Sequence, residues 1–93
     1  MTQQYLIGEL SLLLAELQPA PGRVLADAVD HLRQEIEAGP PEHVHVLALE
    51  AMTLADAICW AALEQGDLEG FSRYAERTTR LGEFTDSARW LLR

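Results

Sequence analysis

The sequence predicts an all-α protein, an antiparallel bundle of four helices, on three observations. Clusters of breakers cut the chain at Pro19-Ala20-Pro21-Gly22, at Gly39-Pro40-Pro41 and at Gly66-Asp67. The segments between them are rich in Leu, Ala, Glu, Arg and Gln, which are good helix formers. None shows the period-two alternation of β-branched residues that a strand requires. Ninety-three residues at 48% hydrophobic content make one domain spanning 1–93, with a single modest core.

The first helix is expected from about Thr2 to Leu17. Leu6, Leu10, Leu13 and Leu17 form one stripe, widened by Ile7 and Leu14 on one side and by Tyr5 and Leu12 on the other. The second runs from Arg23 to Ala38 and offers Leu25, Ala28, Val29, Leu32 and Ile36 to the core. The third, from about Glu42 to Gln65, is apolar nearly all round. Val44, Leu47, Ala51, Leu54, Ile58 and Ala62 make one stripe, Met52, Cys59 and Leu63 a second, and Val46, Leu49 and Trp60 another side. Such a helix is expected to be buried.

The fourth helix begins after Gly66, with Asp67 as N-cap, and its expected core face is Leu68, Phe71, Tyr74, Ala75, Thr78 and Leu81. Gly82 leaves two options, one kinked helix or a break that frees a fifth short helix capped by Thr85-Asp86-Ser87 and ending in Trp90-Leu91-Leu92. The stretch LEQGDLEGFSRYAE, residues 63–76, resembles the turn between the helices of a tetratricopeptide unit. The likeness covers those residues alone and has no second copy, so it implies a helical hairpin and no solenoid.

The net charge of −8 disfavours nucleic acid as a partner, because phosphate neutralisation needs a basic field. All seven basic residues are Arg, which excludes lysine chemistry such as Schiff bases. One cysteine, Cys59, forms no internal disulfide and no zinc framework. The apolar run LSLLLAEL lacks a preceding Lys or Arg and carries Glu16, unlike a signal peptide. The uncharged run from Ala57 to Leu63 is short for a bilayer span, so the expectation is a soluble, cytoplasmic protein with no membrane partner.

Three histidines invite a metal reading. His43 and His45 stand two apart, on opposite sides of a helix, and neither has a ligand type three or four residues later. Glu42 is better explained as a carboxylate in a helical first turn. Asp27, His31 and Glu35 do follow ligand spacing, but on the row turned away from the core, where ion pairing is the usual outcome. No cofactor is expected. Cys59, beside Trp60 in the most apolar helix, reads as an inert thiol, and the dispersed glycines offer no phosphate cradle.

Charge is unevenly spread: residues 1–69 carry twelve acids and two Arg, whereas residues 70–93 carry five Arg and three acids. Arg73, Arg77 and Arg80 line one side of the fourth helix. The i,i+4 pairs Glu69–Arg73 and Glu76–Arg80 would solvate that row, and the sharper alternative is that it docks an acidic surface. Asp56 interrupts the third helix and, where buried, would need an Arg of the fourth as partner.

At about 1.5 Å per residue the third helix, roughly 35 Å long, would overhang the first two at roughly 22–24 Å. An overhang bearing Met52, Trp60 or Leu63 must be covered by the last helix or by a second subunit, and the preferred expectation is a homodimer. Leu6, Leu13, Leu49, Met52, Trp60 and Leu63, with Arg73, Arg77 and Arg80, are the expected contact residues. The functional expectation is a non-enzymatic protein-interaction module of the adaptor, regulator or acidic-inhibitor type. The alternative is a small-ligand or metal-binding bundle using Asp27, His31, Glu35 and His43 or His45.

Overall fold

Breaker chemistry sets the turns between the helices in the computed structural model, which describes residues 2–91 and the side chains of residues 4–40 and 42–89. Helix α1 spans Thr2–Ala15, α2 Arg23–Ala38, α3 Val44–Glu64 and α4 Leu68–Leu91, with a 3₁₀ turn at Pro41–His43 leading into α3. No strand occurs among the described residues. Helix α1 stops two residues before the predicted end because Pro19 disfavours helical backbone at Gln18. The chain tightens there into i+3 bonds, Leu17 N–H to Leu14 C=O at 3.0 Å and Gln18 N–H to Ala15 C=O at 3.2 Å.

Between α3 and α4 the turn is a Schellman cap. Gly66 adopts φ 75°, the left-handed region that favours glycine. Gly66 N–H donates to Leu63 C=O and Asp67 N–H to Ala62 C=O, both at 3.0 Å. Asp67 Oδ1 then accepts from Gly70 N–H at 2.8 Å, capping α4 as predicted. This is the helical hairpin that residues 63–76 imply.

Side-chain contacts fix the directions of the helices. Ser11 donates to Glu37 at 2.9 Å near one end of the α1–α2 pair, and Gln18 Nε2 donates to Ala26 C=O at 3.0 Å near the other. Cys59 meets Thr78 at 3.4 Å and Met52 meets Thr85 at 3.3 Å, so α3 and α4 are antiparallel. Glu16 meets Arg80 at 3.0 Å, which joins α1 to α4. Tyr74 hydroxyl donates to Pro19 C=O, tying α4 to the α1–α2 turn. The result is an up-and-down bundle 41 Å long.

Helix α4 is continuous through Gly82. Thr85, placed by the sequence at the cap of a short last helix, lies buried inside α4, where its hydroxyl donates to Leu81 C=O at 2.8 Å. That i−4 bond satisfies the hydroxyl without a helix end. Leu92 of the predicted short helix lies outside the described residues, as do the side chains of Trp90 and Leu91. Because α4 has 24 residues and lies antiparallel to α3, it covers one side of the longer helix that the first two leave uncovered.

The core is formed by Leu6, Leu10, Leu14 and Leu17 with Val29, Leu32 and Ile36, the small face of α3, and Tyr74, Leu81, Phe84 and Ala88 of α4. In α1 Leu14 is fully buried alongside Leu6 and Leu10, whereas Leu13 is half-buried. In α4 the buried face is rotated from the predicted one. Leu68 is exposed, Phe71 and Ala75 are half-buried, and Phe84 and Ala88 are inside.

Helix α3 is long and apolar enough to cross a bilayer by length and composition, a property the Ala57–Leu63 run did not reveal. In the bundle it contacts α1, α2 and α4. Glu50 and Asp56 stand on its exposed side.

Candidate functional site

Helix α3 has an unusual distribution of side-chain size. Its buried residues are Val44, Ala48, Ala51, Ala55, Ile58, Cys59 and Ala62, four of them alanine. Small residues on a buried face allow a helix to sit close against its neighbours. Four bulky apolar side chains point the other way. Val46 is 56% exposed, Leu49 45%, Trp60 58% and Leu63 36%. Val44 and Ile58 keep to the usual amphipathic arrangement, with large apolar groups inside, but these four do not.

Charge frames this apolar face. Glu50, Asp56 and Glu64 are exposed on the same helix, which contains no Arg. Among the described residues none of the three forms an ion pair. Asp56, which would need an Arg of the fourth helix only where buried, is exposed. One turn on each side of it, Thr53 and Trp60 share its face.

Two grooves flank the bundle. Between α2 and α3 lies a shallow groove of 330 Å³ with Ala28, Leu32 and Leu54 in its lining and Glu35 and Glu50 at its edge. Between α1 and α4 lies another of 410 Å³, lined by Leu6, Leu13 and Phe84 with Arg80 and Glu83. The first adjoins the exposed face of α3, because Glu50 and Thr53 belong to both.

The remaining candidate residues divide clearly. Leu6, expected at an interface, is only 2% exposed and belongs to the core, because α1 turns the Leu6, Leu10 and Leu14 row inward. Met52 is half-buried between α3 and α4, with its sulfur 3.3 Å from the Thr85 hydroxyl oxygen. Leu13 lines the α1–α4 groove. Leu49, Trp60 and Leu63 do gather on one exposed face.

The arginine row is engaged within the molecule. Arg80 holds Glu16 at 3.0 Å and Glu76 at 3.1 Å, and Arg77 lies 3.9 Å from Glu16. Arg73 lies over the Tyr74 ring, 5.1 Å from its centre, rather than on Glu69. The row thus ties α1 to α4 instead of standing free.

Among the histidines, His31 pairs with Glu35 at 2.8 Å, and Asp27 lies 4.0 Å from Arg23. The ligand-spaced row of α2 therefore makes polar pairs along the surface. His43 is exposed at the end of the 3₁₀ turn, and His45 is half-buried with Nδ1 shielded and unpaired. Among the described residues no three His, Cys, Asp or Glu side chains converge on a common point that could hold a metal. Cys59 is buried, with its sulfur 3.4 Å from the Thr78 hydroxyl.

Sequence reasoning grouped Val46, Leu49 and Trp60 on one side and named Leu63 as a contact residue, but passed over Glu50, Thr53 and Asp56 as parts of the same face. The signal was present in the alanine register of α3, since Ala48, Ala51, Ala55 and Ala62 recur at helical spacing opposite them. No protein-family model matches the chain, and no curated protein or solved structure is significantly similar to it.

Proposed function

We propose that the protein is a non-enzymatic helical interaction module, of the adaptor, regulator or acidic-inhibitor type, that holds another protein on the outward face of α3. One observation carries this reading: the helix turns its alanines inward and Val46, Leu49, Trp60 and Leu63 outward. Large apolar groups gathered on one face are the usual mark of an interaction surface, and tryptophan is enriched among the residues that dominate binding. The excess of carboxylates around the face would steer a basic partner toward it.

Photo-crosslinking tests the reading. A photoreactive residue at position 49 or 60 is expected to give a discrete product in an extract of the source cells. The same group at Leu12 or Val24, both exposed but off this face, is expected to give none. Equal labelling from all four positions would contradict a dedicated surface.

A further inference from the structure

We infer that the occupant of this face is a basic amphipathic helix, lying along α3 as a two-stranded coiled coil and carrying one arginine or lysine opposite Asp56. The inference rests on the interaction reading above and names its partner. Val46, Leu49, Thr53, Asp56, Trp60 and Leu63 follow one another at alternating steps of three and four residues. All six are exposed. That spacing is the a/d seam of a left-handed coiled coil, the pattern that keeps one stripe against a second helix. The seam runs for roughly 26 Å at about 1.5 Å per residue, so a partner of about five helical turns matches it.

The seam is apolar at both ends and polar in the middle. An all-apolar partner would bury the Asp56 carboxylate without a counter-charge, which is strongly unfavourable. A guanidinium in the central layer satisfies it with charge-assisted hydrogen bonds, as polar core residues do when they fix coiled-coil register. Glu50 and Glu64 flank the seam, and none of these three carboxylates has an ion-pair partner among the described residues. The α2–α3 groove adds a place for a second long basic side chain, its stem on Ala28, Leu32 and Leu54 and its head toward Glu50, since Glu35 already holds His31.

A second copy fits this face less well. Paired antiparallel about the point between Leu54 and Ala55, two copies would set Val46 against Leu63 and Leu49 against Trp60. The same operation sets Thr53 against Asp56, which brings the two Asp56 side chains into adjacent central layers. Each chain also carries a net charge of −8. Like charges facing across a two-fold axis oppose association, so the charge pattern favours a basic partner over self-pairing.

Two synthetic amphipathic peptides of identical composition test the inference. One carries an arginine in its central seam layer, and the other carries the same arginine on its outer face. Trp60 fluorescence reports binding, with Trp90 replaced by phenylalanine. The seam-arginine peptide is expected to blue-shift Trp60 and to bind about tenfold more tightly than its isomer. That preference is expected to vanish in Asp56→Ala, whose melting curve stays unchanged because the side chain is exposed and unpaired. It is expected to reverse in Asp56→Arg toward a peptide with glutamate in the layer. Equal affinities with a blue shift from both peptides would overturn the charge register while leaving the interaction reading intact. No shift with either peptide would overturn both. A dimer of the bare protein that Trp60→Glu dissociates would assign the face to a second copy and overturn the basic-helix partner.

Discussion

Glu16 stands 3.0 Å from Arg80 and 3.9 Å from Arg77, and so links α1 to α4 through one partly exposed carboxylate. Pairs of this exposure contribute about 0.2–1 kcal/mol and are screened by salt. Glu16→Gln is therefore expected to lower unfolding free energy by that amount in urea titrations at low ionic strength. The difference from wild type should shrink in 1 M salt. A loss of several kcal/mol would mean that the cluster is more buried than its geometry indicates. Two leucines of α1 make a sharper contrast, because Leu10 is fully buried whereas Leu12 is exposed. Leu10→Ala is expected to cost about 2–5 kcal/mol through lost burial and a cavity. Leu12→Ala should stay within about 0.5 kcal/mol, as surface changes usually do. Similar denaturation midpoints for the two variants would contradict the packing of α1.

Helix boundaries were legible because their causes are local. Gly39-Pro40-Pro41 ends α2 at Ala38, as its composition dictates, and Gly66-Asp67 encodes both the Schellman turn and the cap of α4. Helix faces were less legible, since which face is buried depends on the partner helix. Counting bulky residues placed Leu47 and Leu54 in the centre of α3's core face. Close packing instead selected Ala48 and Ala55, and left both leucines half-buried. Sequence left Thr85 open between a cap and a helix interior, because its hydroxyl can serve either; here Leu81 satisfies it within the helix. Gly82 gives a test at this scale. A Cβ there would meet nothing nearer than Met52 Cε at 3.7 Å, an ordinary contact. Glycine inside a helix is less favourable than alanine by roughly 0.5–1 kcal/mol. Gly82→Ala is thus expected to raise the melting temperature, and a fall would show that α4 needs the glycine's freedom at that turn.

For the whole molecule, the length of α4 changes the case for assembly. The predicted overhang of α3 needed cover, and α4 supplies part of it by lying antiparallel to the longer helix. What stays uncovered is the face holding Val46, Leu49, Trp60 and Leu63 among unpaired carboxylates. A partner helix there would bury one side of a single helix, an interface toward the small end of the range typical of transient complexes. Stability and binding should therefore separate. Trp60→Ala is expected to leave the melting curve nearly unchanged while abolishing peptide binding, and Ala55→Leu is expected to destabilise the fold by about 1–3 kcal/mol through overpacking. The most direct test is a ¹⁵N–¹H correlation spectrum recorded during titration with the seam-arginine peptide. The account predicts shift changes concentrated on the exposed positions of residues 46–64, with the α1–α4 groove unaffected. Changes centred on Leu13 and Phe84 in that groove, or none at any peptide concentration, would contradict it.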